Sequence, residues 1–204
     1  MATSLESFNV EKRDPINILE VLKSYDPKRD TSSPTVVTVD HSFSVRGVGE
    51  VILGFVRKGI VKKYDKLRLL PADKEVTVRS IQMQDDDYDQ AEAGSRVGLA
   101  MKGATVEEMK RGAVLCASGN VAASTRLRLS FEKNRFYSDD VREGNFHATI
   151  GMQTVPISIT EKDATSIVIA SEKPIVYEPD DILLLLDLNA AKMRIIGKAR
   201  VMED

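Results

Sequence analysis

Hydrophobic and polar positions change period once along the chain, near residue 35. Before that point Ile16, Leu19 and Leu22 recur at helical spacing behind Asp14-Pro15, an N-cap followed by proline at the first helical position. The pattern predicts a short helix that stops before Asp26-Pro27. From there to Pro34 the chain is Lys, Arg, Asp, Thr, Ser and Pro, a composition that buries nothing and reads as a linker. From Thr35 the period is two. Strand-like runs are predicted at 36–45, 50–56, 59–61, 66–70, 75–83, 96–101 and 113–117. So many short strands in about 85 residues predict a barrel, because closure removes the edges that they would otherwise present.

The segment 118–123 is small and polar and marks a second boundary. A further β series is predicted at 124–132, 145–152, 154–159, 166–170, 181–187 and 192–201, with turns around 142–144, 161–164 and 178–181. In Arg126-Leu127-Arg128-Leu129 the alternation sends leucines to one face and arginines to the other. The expected fold class is therefore all-β: two consecutive small β-barrels behind a short N-terminal helix and linker. The expected divisions are 1–33, 34–118 and 119–204.

The glycines carry the next step. The first series contains Phe43-x3-Gly47-x-Gly49-x-Val51-x2-Gly54-x-Val56-x2-Gly59, then Ala93-Gly94-x2-Val97-Gly98-Leu99, then Glu107-Glu108-x2-Arg111-Gly112-x-Val114-Leu115. Gly47 and Gly49 read as hairpin positions with positive φ, and Gly54 and Gly59 as bends or close backbone approaches. Together these motifs resemble the second domain of translational GTPases, the family of elongation factor Tu and the selenocysteine-specific elongation factor. The resemblance implies a β-barrel that contacts the 3′ end of aminoacyl-tRNA. The runs 144–151 and 194–201 look like the third domain of selenocysteine-specific factors more than that of elongation factor Tu. The junction Leu19-x2-Leu22-x3-Asp26-Pro27-x-Arg29-Asp30-x3-Pro34 resembles the end of a nucleotide domain leading into the second domain, with Ser4-Leu5 as a trace of its last guanine-contacting loop.

No Gly-x-x-x-x-Gly-Lys-Ser/Thr and no Asn-Lys-x-Asp occurs, so this chain has no loop to cradle a nucleotide's phosphates or to read guanine. No cofactor is expected in these barrels; GTP and Mg²⁺ would require a further N-terminal domain. Carried over residue by residue, the resemblance matches Glu108 and Arg111 to a glutamate and an arginine that meet the terminal adenosine. A carboxylate accepts from a ribose 2′-hydroxyl, and a guanidinium pairs with phosphate or stacks on a base. Read from the residues alone, 105–111 is a single helical turn capped by Thr105, with Glu108 at the capping-box position. Both readings stand for Glu108; Arg111 has no evident local partner beyond Glu107 or Glu108. Three positions depart from the family: Tyr64 stands for a usual glycine, Gln84 for a common histidine, and Gly197-Lys198-Ala199 for a glycine run.

Charge narrows the partners. The formal net charge is −2 and charged residues are 29% of the chain, which excludes a general nucleic-acid coat and leaves local basic patches. Arg57, Lys58, Lys62 and Lys63, with Lys66 and Arg68, form one patch; Arg126, Arg128, Lys133 and Arg135 form another. The first four join Glu108 and Arg111 as candidate RNA contacts. Tyr64, Phe136 and Tyr137 are candidate exposed stacking platforms. Asp85-Asp86-Asp87-x-Asp89 lacks the ligand alternation of a calcium loop and reads as a solvated loop, while His41 and His147 have no second ligand at metal spacing. No catalytic set is readable, so an enzyme is not expected. The single cysteine permits no internal disulfide, no apolar run reaches bilayer length, and no secretory signal precedes residue 30. The expected setting is the cytoplasm. The expected partners are aminoacyl-tRNA or the ribosome, with a GTPase domain in cis or in trans. The alternative is a regulatory double barrel that docks a GTPase or a ribosomal protein and has lost its RNA contacts.

Overall fold

The computed structural model describes residues 18–117, 119 and 121–202. Helix α1 (Ile18–Ser24) is short and buries none of its residues. Asp14-Pro15 and Ser4-Leu5 lie outside the described residues. The linker is tied to the body by polar contacts: Gly59 N donates to Asp30 O at 2.7 Å, and Arg29 pairs with Glu92 at 3.0 Å.

The first barrel contains β1 (Val36–Val45), β2 (Gly49–Lys58), β3 (Ile60–Lys62), β4 (Lys66–Leu70), β5 (Lys74–Met83), β6 (Asp86–Tyr88), β7 (Gln90–Glu92), β8 (Arg96–Lys102) and β9 (Val114–Cys116). Its main sheet runs β4-β9-β1-β2-β8-β5-β6, and a further β4–β5 pairing brings the sheet back on itself. Alternate residues turn inward. Val37, Val39, Ile52, Leu67, Leu69 and Leu99 are fully enclosed in its core. Gly54 is required where β1 crosses β2, because a Cβ there would lie 2.4 Å from Thr38 O.

Two elements here depart from the sequence expectation. Residues 85–89 do not form a solvated loop; β6 pairs with β5 and β7 pairs with β3. The cause is the turn. Gln84 and Asp85 both have positive φ, 52° and 69°, the geometry of a two-residue hairpin turn, and Gln82 donates to Asp87 across it at 3.0 Å. Backbone pairing forms the strand although all three residues of β6 are exposed.

The second barrel is closed, in the order β10-β13-β12-β11-β14-β15. Its strands are β10 (Ala122–Lys133), β11 (Gly144–Ile150), β12 (Gln153–Lys162), β13 (Ser166–Tyr177), β14 (Leu183–Leu186) and β15 (Ile195–Val201). Leu129, Ile159, Ile169, Leu183, Leu185 and Ile196 form the centre of its core. β13 runs on beyond residue 170, where the sequence predicts an end. Pro174 removes a ladder donor, and the chain absorbs it in an irregular stretch: Ala170 faces Arg126 while Ile175 already faces Ser124.

The barrels meet along one seam. Val36, Leu70, Val114 and Cys116 of the first barrel close against Val121 and Val176. Each large apolar side chain fully buried there stabilises the contact by roughly 1.5–3 kcal/mol. Beside this patch Lys58 donates to Glu178 at 2.8 Å, and Arg57 reaches both Glu178 and Asp181. The Glu178 side chain is only 8% exposed. Further along, Gly112 lies against Gln153, and a Cβ at Gly112 would meet Gln153 Cγ at 2.7 Å. Gln153 clamps Val176 through two hydrogen bonds, of 2.7 and 2.9 Å.

In a urea titration, Gly54→Ala is expected to destabilise the protein by about 1–3 kcal/mol through overpacking. Gly98→Ala, where the new Cβ meets Leu53 Cδ2 at 3.6 Å, stays within about 0.5 kcal/mol in the same urea titration. Glu178→Ala leaves Lys58 without its partner and is expected to cost about 1.5–3 kcal/mol by the same measurement. Asp181→Ala costs less, since Arg57 keeps Glu178.

Candidate nucleic-acid interface

The turn after β8 is built as a cap. Glu108 N and Met109 N both donate to Thr105 O at 3.1 Å, and Glu108 Oε2 accepts from Thr105 N at 3.0 Å. This is the carboxylate half of a capping box. Met109, fully buried, anchors the turn in the core, and Ser42 Oγ donates to Val106 O at 3.0 Å. Glu108 also takes the ammonium of Lys74. That bond, followed by the Thr105 N–H, holds the Glu108 carboxyl below the usual carboxylate range. Arg111 pairs with Asp40 of β1 and donates to Met152 Sδ of the second barrel at 3.5 Å. Its carboxylate partner is thus remote in sequence.

The other candidates lie elsewhere. Arg57 and Lys58 belong to the seam, bound to Glu178 and Asp181. Lys62 closes β3 and Lys63 follows it. Lys63 Nζ lies 3.0 Å from Asp89, and this hydrogen bond raises its pKa, while the Lys62 ammonium has no ion pair among the described residues. Tyr64 holds φ at 70° and is 73% exposed, so the side chain occupies a left-handed position of the kind that glycine fills without strain. The structure therefore divides the candidates into three groups: the seam, the β3 turn, and the turn after β8.

Two cavities of the first barrel adjoin the second and third of these groups. One, of about 590 Å³, lies between the β1–β2 hairpin, the middle of β5 and the end of β8, and Arg79 and Lys102 line it. Gly47 and Gly49 shape the hairpin with φ of 83° and 105°. Arg46, Arg79 and Lys102 pair with no carboxylate among the described residues, and the nearby Glu50 is held by Ser44 Oγ at 2.7 Å. Lys102 leads directly into the Thr105 turn. The other cavity, of about 660 Å³, is lined by Arg29, Gln82, Gln84, Tyr88 and Arg96. The Arg96 guanidinium sits 5.8 Å from the centre of the Phe55 ring. Tyr88 precedes Asp89, the partner of Lys63. The seven residues of β8 separate Arg96 from Lys102 by about 20 Å, so the cavities lie at opposite ends of one strand.

Sequence reasoning passed over Arg46, Arg79, Arg96 and Lys102 because each is an isolated cation. Register alone gathers the first cluster: Glu50 and Val78 both face Met101, and a bulge sits at Arg79. In the second barrel Arg126 and Arg128 meet Glu161 on the strand surface. Of the aromatic candidates there, Phe136 is exposed, but Tyr137 is not a platform. It is buried, and its hydroxyl donates to Asp187 at 2.9 Å.

Two antiparallel barrels joined by a fixed seam, the first bearing a glycine hairpin and a capped turn, define a barrel pair of the translation-factor class. Residues 49–116 match elongation factor Tu domain 2. The chain is similar to the selenocysteine-specific elongation factor of Methanocaldococcus jannaschii, at 32% identity over 212 residues covering 90% of this chain and 44% of that protein. An uncharacterized protein of the same organism is 38% identical over 200 residues, covering 98% of this chain and 64% of its own length. The crystal structure of apo SelB from Methanococcus maripaludis superposes with a TM-score of 0.79 at 25% identity, covering 91% of this chain and 46% of SelB. A bacterial selenocysteine-specific factor shares the fold, with a TM-score of 0.74 at 24% identity, covering 90% of this chain and 30% of that one. The chain spans less than two thirds of each of these proteins.

Tyr137 offers a pH test of the packing. Burial, then the hydrogen bond to Asp187, pushes its pKa from the usual 10 up to about 12. The folded state favours the neutral phenol, so its contribution to stability is complete below about pH 10 and is lost as pH rises through about 12. Absorbance titration is expected to show one late-ionising tyrosine, absent in Tyr137→Phe.

Proposed function

We propose that the chain is the RNA-contacting double barrel of a translation elongation factor of the selenocysteine-specific type, acting in the cytoplasm on the acceptor end of aminoacyl-tRNA and on the ribosome. One observation carries this reading: each end of β8 opens onto a cavity lined by cations that pair with no carboxylate among the described residues, Arg96 at one end and Arg79 and Lys102 at the other. At the Arg96 end, Gln82 and Gln84 offer amides to a base edge, Tyr88 a ring to stack on, and Arg96 and Lys62 charge for phosphate. At the Lys102 end, Arg46, Arg79 and Lys102 form a cleft suited to a phosphate backbone, beside Glu108 and Arg111. Glu108 and Arg111 serve this interface by holding the turn and by exchanging Lys74 and Asp40 for ribose and phosphate on binding. Arg57 and Lys58 contribute by fixing the second barrel. The barrels themselves hold no nucleotide chemistry; GTP and Mg²⁺ belong to a GTPase domain that works with them in cis or in trans.

A second reading has its own support. The outer face of the second barrel has a groove of about 680 Å³ lined by Asn145, His147, Pro156, Ser158 and Leu188, and Leu184 and Ile195 are exposed nearby on β14 and β15. The groove is lined by two carboxylates, Glu172 and Asp187, and by no lysine or arginine, so it suits a protein, such as a GTPase domain, better than RNA.

Titration of labelled aminoacyl-tRNA and deacylated tRNA at two salt concentrations tests the first reading. Arg96→Ala, Lys102→Ala and Arg111→Ala are each expected to weaken binding at least about fivefold, and each lowers the salt slope by about one. Absence of binding at low salt removes this reading and leaves the second.

A further inference from the structure

We propose that the corner of the second barrel between β10 and β11 binds an unpaired RNA nucleotide, its base stacked on Phe136. The chain leaves β10 through a turn fixed by Asn134. Asn134 N donates to Ile196 O at 2.8 Å and its Nδ2 to Ile195 O at 3.0 Å, while its Oδ1 accepts from Phe136 N at 3.1 Å. Tyr137 N returns to Asn134 O at 3.0 Å, and the Tyr137 ring is buried. Phe136 is thus held rigidly from both sides, yet remains 64% exposed. The Arg135 guanidinium lies 4.5 Å from the ring centre, and Lys133 lies 5.7 Å from the ring of Tyr137. A preorganised ring backed by a cation is a stacking surface for a base, and it loses little conformational freedom on binding.

The charges around this ring differ from those elsewhere on the barrel. Arg126 and Arg128 meet Glu161, and Lys198 meets Glu132. Lys133, Arg135, Arg142 and Lys162 make no ion pair among the described residues. Lys133 and Lys162 line a groove of about 410 Å³ together with Asp140 and Val141. The loop also carries Asp139, which accepts from Ser138 Oγ at 3.3 Å, and Glu143, so the corner is not a general polyanion trap. It offers cations for one or two phosphates, and Asp140 offers an acceptor for a ribose 2′-hydroxyl. Protein partners usually need a contiguous apolar patch, whereas the apolar lining of this groove is the buried Val141, the half-buried Phe131 and the small Ala164, set among Lys133, Asp140 and Lys162. A duplex keeps its bases stacked and cannot use Phe136, so the ligand is a loop, bulge or single-stranded end.

This inference shares with the proposed function only the premise that the chain meets RNA, and it concerns the other barrel. Fluorescence anisotropy of the full chain with a short labelled oligouridylate, and with a blunt RNA duplex of equal length, tests it. The single strand is expected to bind more tightly than the duplex. Phe136→Ala is expected to weaken single-strand binding about 5- to 150-fold, the range for one lost base stack, and Phe136→Trp to preserve it. Phe136→Ala and Lys102→Ala are compared on both RNAs: the larger loss of oligouridylate binding is expected from Phe136→Ala and the larger loss of tRNA binding from Lys102→Ala, so the two sites report separately. Unchanged single-strand affinity in Phe136→Ala overturns the proposal even if tRNA still binds. Absence of single-strand binding at low salt, or a duplex bound as tightly as the single strand, also overturns it.

Discussion

The arrangement of the molecule depends on one nearly buried carboxylate. Glu178 stands at the end of β13 with its charge facing Arg57 and Lys58, whose side chains are about one third exposed. Removing a carboxylate from water is costly unless cations and hydrogen bonds replace the lost solvent. Oε1 has Lys58 at 2.8 Å, whereas Oε2 has Arg57 at 3.3 Å without hydrogen-bond geometry. The site is therefore held by charge more than by ideal bonding, and it tolerates little rotation of one barrel on the other. The apolar contact of Val36, Val114, Val121 and Val176 supplies affinity, and the ion cluster supplies direction. Every statement about where the two barrels present their cations rests on this joint.

That joint also explains why the basic run at 57–63 does not behave as one patch. Arg57 and Lys58 leave β2 on the side of the second barrel, while Lys62 and Lys63 follow Gly59 into a separate small sheet. Gly59, at φ 71° with Ser33 and Thr35 packed against it, redirects the chain between the two pairs. Residues adjacent in sequence are thereby committed to different tasks, one pair to assembly and the other to the solvent-facing rim.

Much of the architecture was legible in the sequence. Period-two alternation located the main strands, and the glycine spacing marked the hairpin of the first barrel. What escaped had physical causes. β6 carries no apolar residue except Tyr88, so its pairing follows from two left-handed turn residues that are neither glycine nor asparagine. β13 contains a proline that argues against a strand, and only an irregular register opposite Thr125 admits it. At the candidate interface Glu108 was readable because its cap is local, whereas Lys74 and Asp40 were not, because only barrel closure brings them near. Phe136 and Tyr137 show the limit most sharply. Composition cannot say which of two adjacent aromatics turns inward; the Asn134 turn and the Asp187 hydrogen bond decide it.

A net charge of −2 would count against RNA binding if every charge acted on solvent alike. They do not. Many cations here are matched within the fold, as Arg29 is to Glu92, Lys66 to Glu75 and Arg68 to Asp73, and such pairs present little field beyond a Debye length of about 8–10 Å. Among the described residues, several cations without an ion pair stand where the backbone is constrained: Arg46 at the glycine hairpin, Arg96 and Lys102 at the two ends of β8, and Arg135 in the Asn134 turn. A rigid backbone holds them without the entropy loss that ordering a flexible basic tail would incur. Under the proposed function, an RNA meets a few fixed charges on a nearly neutral body, an arrangement that favours particular RNA shapes over indiscriminate adhesion to phosphate.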